Sequence, residues 1–540
     1  MLPCVFGVKV RHWMMCLLPV TLLGPPAIAY LLFTENLPNT FCYLALMESD
    51  ASELSCFSSQ GMYAAAAMLP LVLAAWWVMW RKISPSFKLA IPSRLGIAGM
   101  ALAMIPFSMT QVGFQNAFRY SFSYTQSVFP IGTLFSVWDA FAFRGRIDQR
   151  NALVEHIHVT QDSPAIAQPK KPEVNILVIG ESAQSASFQI NGYERPTTPR
   201  LMKMENLLAF KDVSASATIT LAAVPQMLTP SKPGAFLETL DLPSIPAAYR
   251  RAGYKVYWLS TQRKHGLYDT TTSTFSEDAD EHHFIGGTFD AKNQGAYSGV
   301  QDWRLLDPLL KIIARNEPKV LIILHTMGSH GPYTARYPKV LSRFPVSKED
   351  FNSAMVKTRP SDLEKQVIRD AYDNSIFSTD WLLGEIVSQL KRHECYSWLY
   401  YISDHGENVS GQLPYGHGTM TTDVLQIPLF IWTSDAYLKS RPEKIQAMKS
   451  RLEQPISARS TFHTVLDLAG IRCDGMRPEM SLASAGFHPD ARTVSSIGGQ
   501  VWDYDKDIKP REMNRPGGWK PLFLKKNAAI ADPAAHIAKD

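Results

Sequence analysis

A chain of 540 residues that is 46% hydrophobic and 19% charged can bury two or three cores and is too apolar to be intrinsically disordered. Its 54 Lys and Arg against 49 Asp and Glu leave a formal charge of only +5. No basic run is interleaved with aromatics as a nucleic-acid surface requires, so nucleic acid is not an expected partner.

The apolar residues are concentrated at the start. Residues 13–33 form 21 uncharged positions and residues 61–80 another 20, each close to the ~20 residues an α-helix needs to cross the hydrocarbon. A third span is expected at 95–114, apolar through Phe107 and weaker past Ser108, Thr110 and Gln111. Residues 1–115 therefore read as a transmembrane domain of about three spans. Lys9, Arg11 and His12 precede the first span, and Arg81, Lys82, Lys88 and Arg94 separate the second from the third. The loop between the first two holds Glu35, Glu48, Asp50 and Glu53 and no Lys or Arg. The positive-inside rule then puts the cationic ends in the cytoplasm and everything after Phe114 outside. Ala27-Ile28-Ala29 also resembles a signal-peptidase site, and cleavage there would leave the topology of the remainder unchanged. Residues 121–143 are aromatic but carry Tyr124, Gln126, Pro130 and Asp139, and read as interfacial; a crossing there would instead place the rest in the cytoplasm. Of the six cysteines, Cys42 and Cys56 share the outer loop and could pair, Cys4 and Cys16 lie in or near the first span, and Cys395 and Cys473 read as unpaired.

The interfacial segment and a linker occupy 116–173, ending in the proline-rich run of residues 160–173. From 174 to 540 short apolar runs alternate with helical patterns. Strands are expected at 174–180, 207–213, 254–260, 319–325, 398–403 and 428–433, and helices at 363–390 and 462–469. This predicts an α/β domain with a central, mainly parallel sheet flanked by helices.

Two of these strands run straight into chemically active residues, and ligands of open α/β sheets bind where strands exit. Val178-Ile-Gly-Glu181-Ser places Glu181 at one exit, and Ile402-Ser-Asp404-His405-Gly-Glu places Asp404 and His405 at another. His330 follows the 319–325 strand in His325-Thr-Met-Gly-Ser-His330-Gly, and His417 stands in Tyr-Gly-His-Gly. Singly, each reads as well as a structural glutamate or a surface histidine. As a set of carboxylates and imidazoles after strands in one domain, they predict a metal or phosphate site, with Zn²⁺ suited to mixed N and O ligands. The hydroxyl-rich run Ser214-Ala-Ser-Ala-Thr-Ile-Thr220 precedes an apolar stretch. It reads either as a helix cap or as a nucleophile beside a helix N-terminus, where a phosphoryl anion is favoured.

The blocks Ile179-Gly-Glu-Ser-Ala, Asn191-Gly-Tyr-Glu-Arg-Pro-Thr-Thr-Pro-Arg, His325-Thr-Met-Gly-Ser-His-Gly-Pro, Tyr372-Asp-Asn-Ser-Ile, Ser403-Asp-His-Gly-Glu and Ile427-Pro-Leu-Phe-Ile-Trp occur in this order. Over about residues 174–510 the chain resembles the phosphoethanolamine transferases of the alkaline-phosphatase and sulfatase superfamily. The resemblance implies an alkaline-phosphatase-like periplasmic catalytic domain on a multi-pass inner-membrane anchor. It implies transfer of phosphoethanolamine from phosphatidylethanolamine to an envelope acceptor, lipopolysaccharide (lipid A or core) or a periplasmic glycan, through a phosphothreonine enzyme. It places the zinc ligands on Glu181, Thr220, Asp404 and His405, with Thr220 also the nucleophile. His330 and His417 fall on histidines of a second metal or of the phosphoryl group, and His325 on a nearby histidine at the substrate. One zinc, or two, is implied.

The chain departs from the pattern in two places. Gln184 stands where the family carries Arg, and the cysteines that brace the family's nucleophile loop are absent, with Ala215 and Gln226 nearby. The alternatives are another phosphodiesterase or a glycerol-phosphate transferase on the same fold, or a membrane sensor without catalysis. A formylglycine sulfatase is disfavoured, because residues 218–228 lack Cys or Ser followed by x-Pro-x-Arg.

Overall fold

The computed structural model describes parts of 9–22, 60–93 and 137–162, and 171–513 except 236, 263, 265–269, 286–299, 356–359, 410–414 and 496–500. The third predicted span, most of the first, nearly all of 121–143 and the outer-loop cysteines lie outside the described residues.

The chain divides into two compact units. The first comprises 1–148, 265–270 and 288–295. It contains the helices Val10–Cys16 and Gln60–Lys82, the latter covering the second predicted span. Arg11 Nε donates to the Trp80 carbonyl at 3.0 Å, and its guanidinium lies 4.7 Å from the Trp80 ring centroid. Arg11, which precedes the first predicted span, thus lies against the end of the helix that covers the second. Among the described residues no helix is long and apolar enough to cross a membrane.

The second unit comprises 149–264, 271–287 and 296–540. Its centre is a seven-stranded sheet formed by β1 (Glu173–Gly180), β2 (Leu207–Phe210), β3 (Lys255–Ser260), β4 (Glu281–Phe284), β5 (Lys319–His325), β6 (Trp398–Ser403) and β7 (Leu429–Thr433). Their spatial order is β2-β7-β6-β1-β5-β3-β4, and β7 runs opposite to the other six strands. Every residue of β1 is buried. Ile176 and Val178 pack in one cluster with Ile376 and Leu383, while the alternate Leu177 and Ile179 are equally buried. A strand covered on both faces shows as a near-continuous apolar run, which is why β1, β5 and β6 match their predicted limits closely.

Two strand readings differ. The run expected at 207–213 splits: β2 joins the main sheet, and Asp212–Ser214 pairs in parallel with Pro455–Ser457. Lys211 sits at the break, its backbone N–H bonded to the Leu452 carbonyl, so the chain leaves one sheet and enters another within a single apolar pattern. The edge strand β4 reads Glu-His-His-Phe and carries no apolar signal.

The helices used below are α1 (Thr220–Leu228), α2 (Leu306–Ile313), α3 (Asp362–Arg392) and α4 (Ser460–Leu468). A capping box starts α3: the Ser361 side chain accepts from the Glu364 amide, and Glu364 reaches back to the Ser361 amide. Cys395 and Cys473 are unpaired, the first buried and the second half-buried.

Candidate metal centre

The sheet register brings the candidate residues together. Ile179 of β1 is opposite His325 of β5, and Gly180 is opposite Ser403 of β6. Three neighbouring parallel strands therefore end side by side, and the residues that follow the central β1 and the adjacent β6 are Glu181 and Asp404. Glycines let the backbones close in. A Cβ at Gly328 would stand 2.4 Å from the Glu181 carbonyl oxygen, and Gly328 has φ +47°, a region glycine enters without strain.

Glu181, Asp404 and His405 are fully buried, and one ligand atom of each lies within 4.8 Å of the others. His405 Nε2 is 3.3 Å from Asp404 Oδ2 and 3.5 Å from Glu181 Oε1. Thr220, the first residue of α1, is half-buried. Its hydroxyl donates to Glu181 Oε2 at 2.8 Å and lies 3.2 Å from His405 Nε2. All four residues of the expected ligand set thus meet at one point, the nucleophile candidate at the solvent side and the others beneath it.

Two features of this cluster fit a cation. Asp404 Oδ1 accepts from the amides of Ser182 and His405, at 3.1 and 2.6 Å, but Asp404 Oδ2 is buried without a hydrogen-bond partner. Burial and the adjacent Glu181 push the Asp404 carboxyl well above its ordinary range. Burial also acts to raise Glu181, but His405, His330 and His417 outweigh it and hold it at about 2. Two adjacent buried carboxylates, one with an oxygen that makes no hydrogen bond, are a donor set that a divalent ion fits. The imidazole is also oriented for it: His405 Nδ1 lies 2.9 Å from the Gly406 carbonyl, which can only accept, so the proton is on Nδ1 and the Nε2 lone pair faces the carboxylates. Burial holds His405 down at about 4, in the neutral form a metal ligand needs.

His417 and His330 line the open side. The His417 ring centroid is 4.5 Å from that of His405 and 5.2 Å from that of His330. His330 Nδ1 contacts its own loop's Gly331 carbonyl at 2.7 Å, and His417 Nδ1 contacts Glu407 Oε2 at 3.0 Å, so both present Nε2 elsewhere. Burial lowers the His417 pKa but Glu407 more than offsets it, and the net shift is upward. His405, Glu407 and His417 form a second possible metal-binding group. His325 belongs to neither group: it is buried edge-on to Trp258, with Nδ1 3.3 Å from Ser260 Oγ.

Several supporting residues escaped the sequence reading. Gln262 Nε2 donates to Glu181 Oε2 at 3.2 Å and to the Thr326 carbonyl at 2.8 Å. Buried Asp302, just before α2, accepts from the Met327 and Gly328 amides, both at 2.9 Å, and so shapes the loop carrying His330. Tyr333 donates to Glu407 Oε1 at 3.0 Å. Of these only Glu407 had a signal, as the last residue of Asp-His-Gly-Glu.

Residues 174–471 match the Sulfatase family. Phosphoethanolamine transferase EptC of Escherichia coli (strain K12) is 28% identical over 365 residues, 64% of this chain and 60% of that protein, so the chain spans about three fifths of the length of this curated relative. Among solved structures, the C-terminal periplasmic domain of EptC from Escherichia coli is 26% identical with a TM-score of 0.55, covering 65% of this chain and 96% of that domain. That domain has also been solved in complex with Zn. The integral membrane protein lipooligosaccharide phosphoethanolamine transferase A from Neisseria meningitidis shares the fold at 21% identity, TM-score 0.56, over 89% of this chain and 88% of that one. With more than half its length matched, and with a carboxylate and imidazole cluster at the strand exits of that matched region, the chain belongs to the sulfatase family.

Proposed function

We propose that this protein is a zinc-dependent phosphoethanolamine transferase of the bacterial inner membrane. Residues 1–115 would form its membrane domain, 116–173 the interfacial segment and linker, and 174–540 a periplasmic catalytic domain. The observation that carries the reading is the contact of the Thr220 hydroxyl with both Glu181 and His405 at the first turn of α1. A hydroxyl held on a buried carboxylate and a neutral imidazole, with a helix N-terminus beside it, suits attack on phosphorus. The order of motifs and the likeness to EptC narrow the phosphoryl group to phosphoethanolamine.

Glu181, Thr220, Asp404 and His405 would hold the zinc, and His405, Glu407 and His417 could hold a second ion. Zinc supplies Lewis-acid stabilisation of the threonine oxygen and of charge on the phosphoryl oxygens. Thr220 passes its proton to Glu181 Oε2, which already accepts its hydrogen bond, and Oγ1 attacks the phosphorus of phosphatidylethanolamine; a Thr–O–P bond forms and the P–O bond to diacylglycerol breaks. His330 or His417 gives the departing oxygen its proton. An acceptor oxygen on lipopolysaccharide or a periplasmic glycan then attacks the phosphothreonine and passes its proton to the same imidazole, the Thr–O–P bond breaks, and Thr220 recovers its proton from Glu181. His325, behind the strand exit, would support the substrate side through His330's loop. The lipid donor explains the anchor, and the shared end of Arg11 and Trp80 accords with a common cytoplasmic edge for the first two spans.

Incubation of the full-length protein with phosphatidylethanolamine labelled in the head group tests this. Wild type should carry the label on Thr220 and pass it to envelope lipids or glycans detected by mass spectrometry, and Thr220→Ala should do neither while remaining folded. Transfer by Thr220→Ala at the wild-type rate would remove the nucleophile. Release of free phosphoethanolamine with no acceptor product would favour a phosphodiesterase.

A further inference from the structure

The loop that delivers Thr220 has little with which to hold itself. Its residues Ala215, Ser216, Ala217 and Thr218 are all buried, and their small side chains offer little packing. Beyond the Ser216 hydroxyl, which donates to the Ala223 carbonyl of α1 at 3.3 Å, and Ala217, which packs on Ala222 and Ala223, the loop is held by backbone bonds to distant segments: the Ala215 amide to the Leu425 carbonyl at 2.8 Å, and the Thr218 carbonyl from the Gly418 amide at 3.0 Å. Between these anchors the Ser216 carbonyl accepts from the amide of Ser495 at 2.9 Å, and Ala217 forms a parallel bridge with Ser495.

Ser495 also reaches the helix on the other side of Thr220. Gln226, buried in α1, donates from Nε2 to Ser495 Oγ at 3.1 Å and to the Ala222 carbonyl at 2.8 Å, and its Oε1 accepts from the Gly234 amide at 3.3 Å. Ser495 Oγ in turn donates to the Ser216 carbonyl at 3.3 Å. The order amide, hydroxyl, carbonyl is the only one in which each group plays the role its chemistry permits. Ser495 is itself fixed. It ends the strand Thr493–Ser495, which pairs with Val501–Asp503. The preceding Arg492 binds Asp212 at 2.6 Å, on the strand that leads into the nucleophile loop.

We propose that Ser495 and Gln226 are positioning residues for Thr220, forming a hydrogen-bonded brace that ties the nucleophile loop to α1 through the strand Thr493–Ser495. The brace does without cysteine: Ala215 and Gln226 occupy the region, and the unpaired Cys395 and Cys473 lie elsewhere. Its catalytic consequence rests on Thr220 being the nucleophile, whereas its mechanical consequence does not. Both partners lie beyond reach of the reacting atoms and act by holding the oxygen in line, where a displacement of ~1 Å costs up to about 100-fold in rate.

Full-length Ser495→Ala and Ser495→Thr are compared with wild type by amide hydrogen exchange and by steady-state transfer from labelled phosphatidylethanolamine. Ser495→Ala should exchange the amides of 216–220 about tenfold faster, with kcat about tenfold lower and KM within twofold. Ser495→Thr, which keeps the hydroxyl, should restore both. Unchanged exchange and kcat in Ser495→Ala, or a fall in activity that merely follows the folded fraction in a thermal melt, would overturn the brace. If wild type transfers but carries no label on Thr220, the catalytic reading fails while the exchange data still decide whether the brace exists.

Discussion

The Tyr372 hydroxyl donates to the Ser182 carbonyl at 2.7 Å and accepts from the Gln184 amide at 2.9 Å, so one side chain of α3 holds both ends of the turn that follows Glu181. That turn needs holding, because Ser182 has φ 56°, a left-handed conformation that a residue with a Cβ adopts at a cost. Three residues on, Ser375 Oγ meets Ser329 Oγ at 2.8 Å, next to His330. One turn of α3 thus supports both the Glu181 loop and the His330 loop.

Tyr372→Phe should therefore lower stability by about 1–3 kcal/mol, the cost of leaving buried backbone groups unpaired. It should also lower kcat more than KM, since no substrate contact is lost. Thermal melts with steady-state transfer assays check this, and a variant with wild-type melting and kcat would show that the turn holds itself.

Gly328→Ala should be severe. The added methyl meets the Glu181 carbonyl oxygen at 2.4 Å and the Glu181 amide nitrogen at 2.8 Å, in a backbone with φ +47°. Backbone atoms cannot swing aside as a flexible side chain can, so a loss of about 2–5 kcal/mol is expected, with transfer abolished. Normal melting and activity would contradict this close approach.

Metal content should follow Asp404. Its Oδ2 makes no hydrogen bond, so Asp404→Asn removes a ligand atom without breaking a protein contact there. Zinc affinity should fall by more than the roughly 10- to 100-fold lost with an outer-shell partner, read by elemental analysis after dialysis. Chelation of wild type should stop transfer and added Zn²⁺ restore it. Full zinc occupancy in Asp404→Asn would shift the site elsewhere.

Acid should loosen the strand Thr493–Ser495 where Arg492 meets Asp212. Burial acts to raise its pKa, but Arg492 and Lys509 outweigh this and hold it below the ordinary 3.8. A depressed carboxylate contributes stability that is complete above the unfolded value and is lost as pH falls through the folded one. The melting difference between wild type and Asp212→Asn should thus be widest above about pH 5 and shrink below pH 4. A difference that stays constant down to pH 3 would show that the ion pair contributes nothing to stability.

Much of the framework was legible in the linear chain. Strands β1, β5 and β6 are buried on both faces, so they appear as near-continuous apolar runs, and whatever follows them must emerge at the carboxyl edge of a parallel sheet. That put Glu181, Asp404 and His405 at strand exits, and the hydroxyl run before an apolar helix put Thr220 near an N-terminus. The split of 207–213 into strands of two sheets was not legible, because Lys211 and Asp212 interrupt the run for only two residues before Val213 and the partner strand Pro455–Ser457 lies far along the chain. Nor were the partners of the site. The Tyr372 contact with Ser182 spans 190 residues and the Gln226 contact with Ser495 spans 269, and hydrogen bonds across such separations leave no periodicity in a sequence. Local pattern determines which segments become strands and helices, since burial and backbone pairing impose their own repeat. Which side chains hold the nucleophile in place was decided only when the folded chain brought segments hundreds of residues apart within hydrogen-bonding distance.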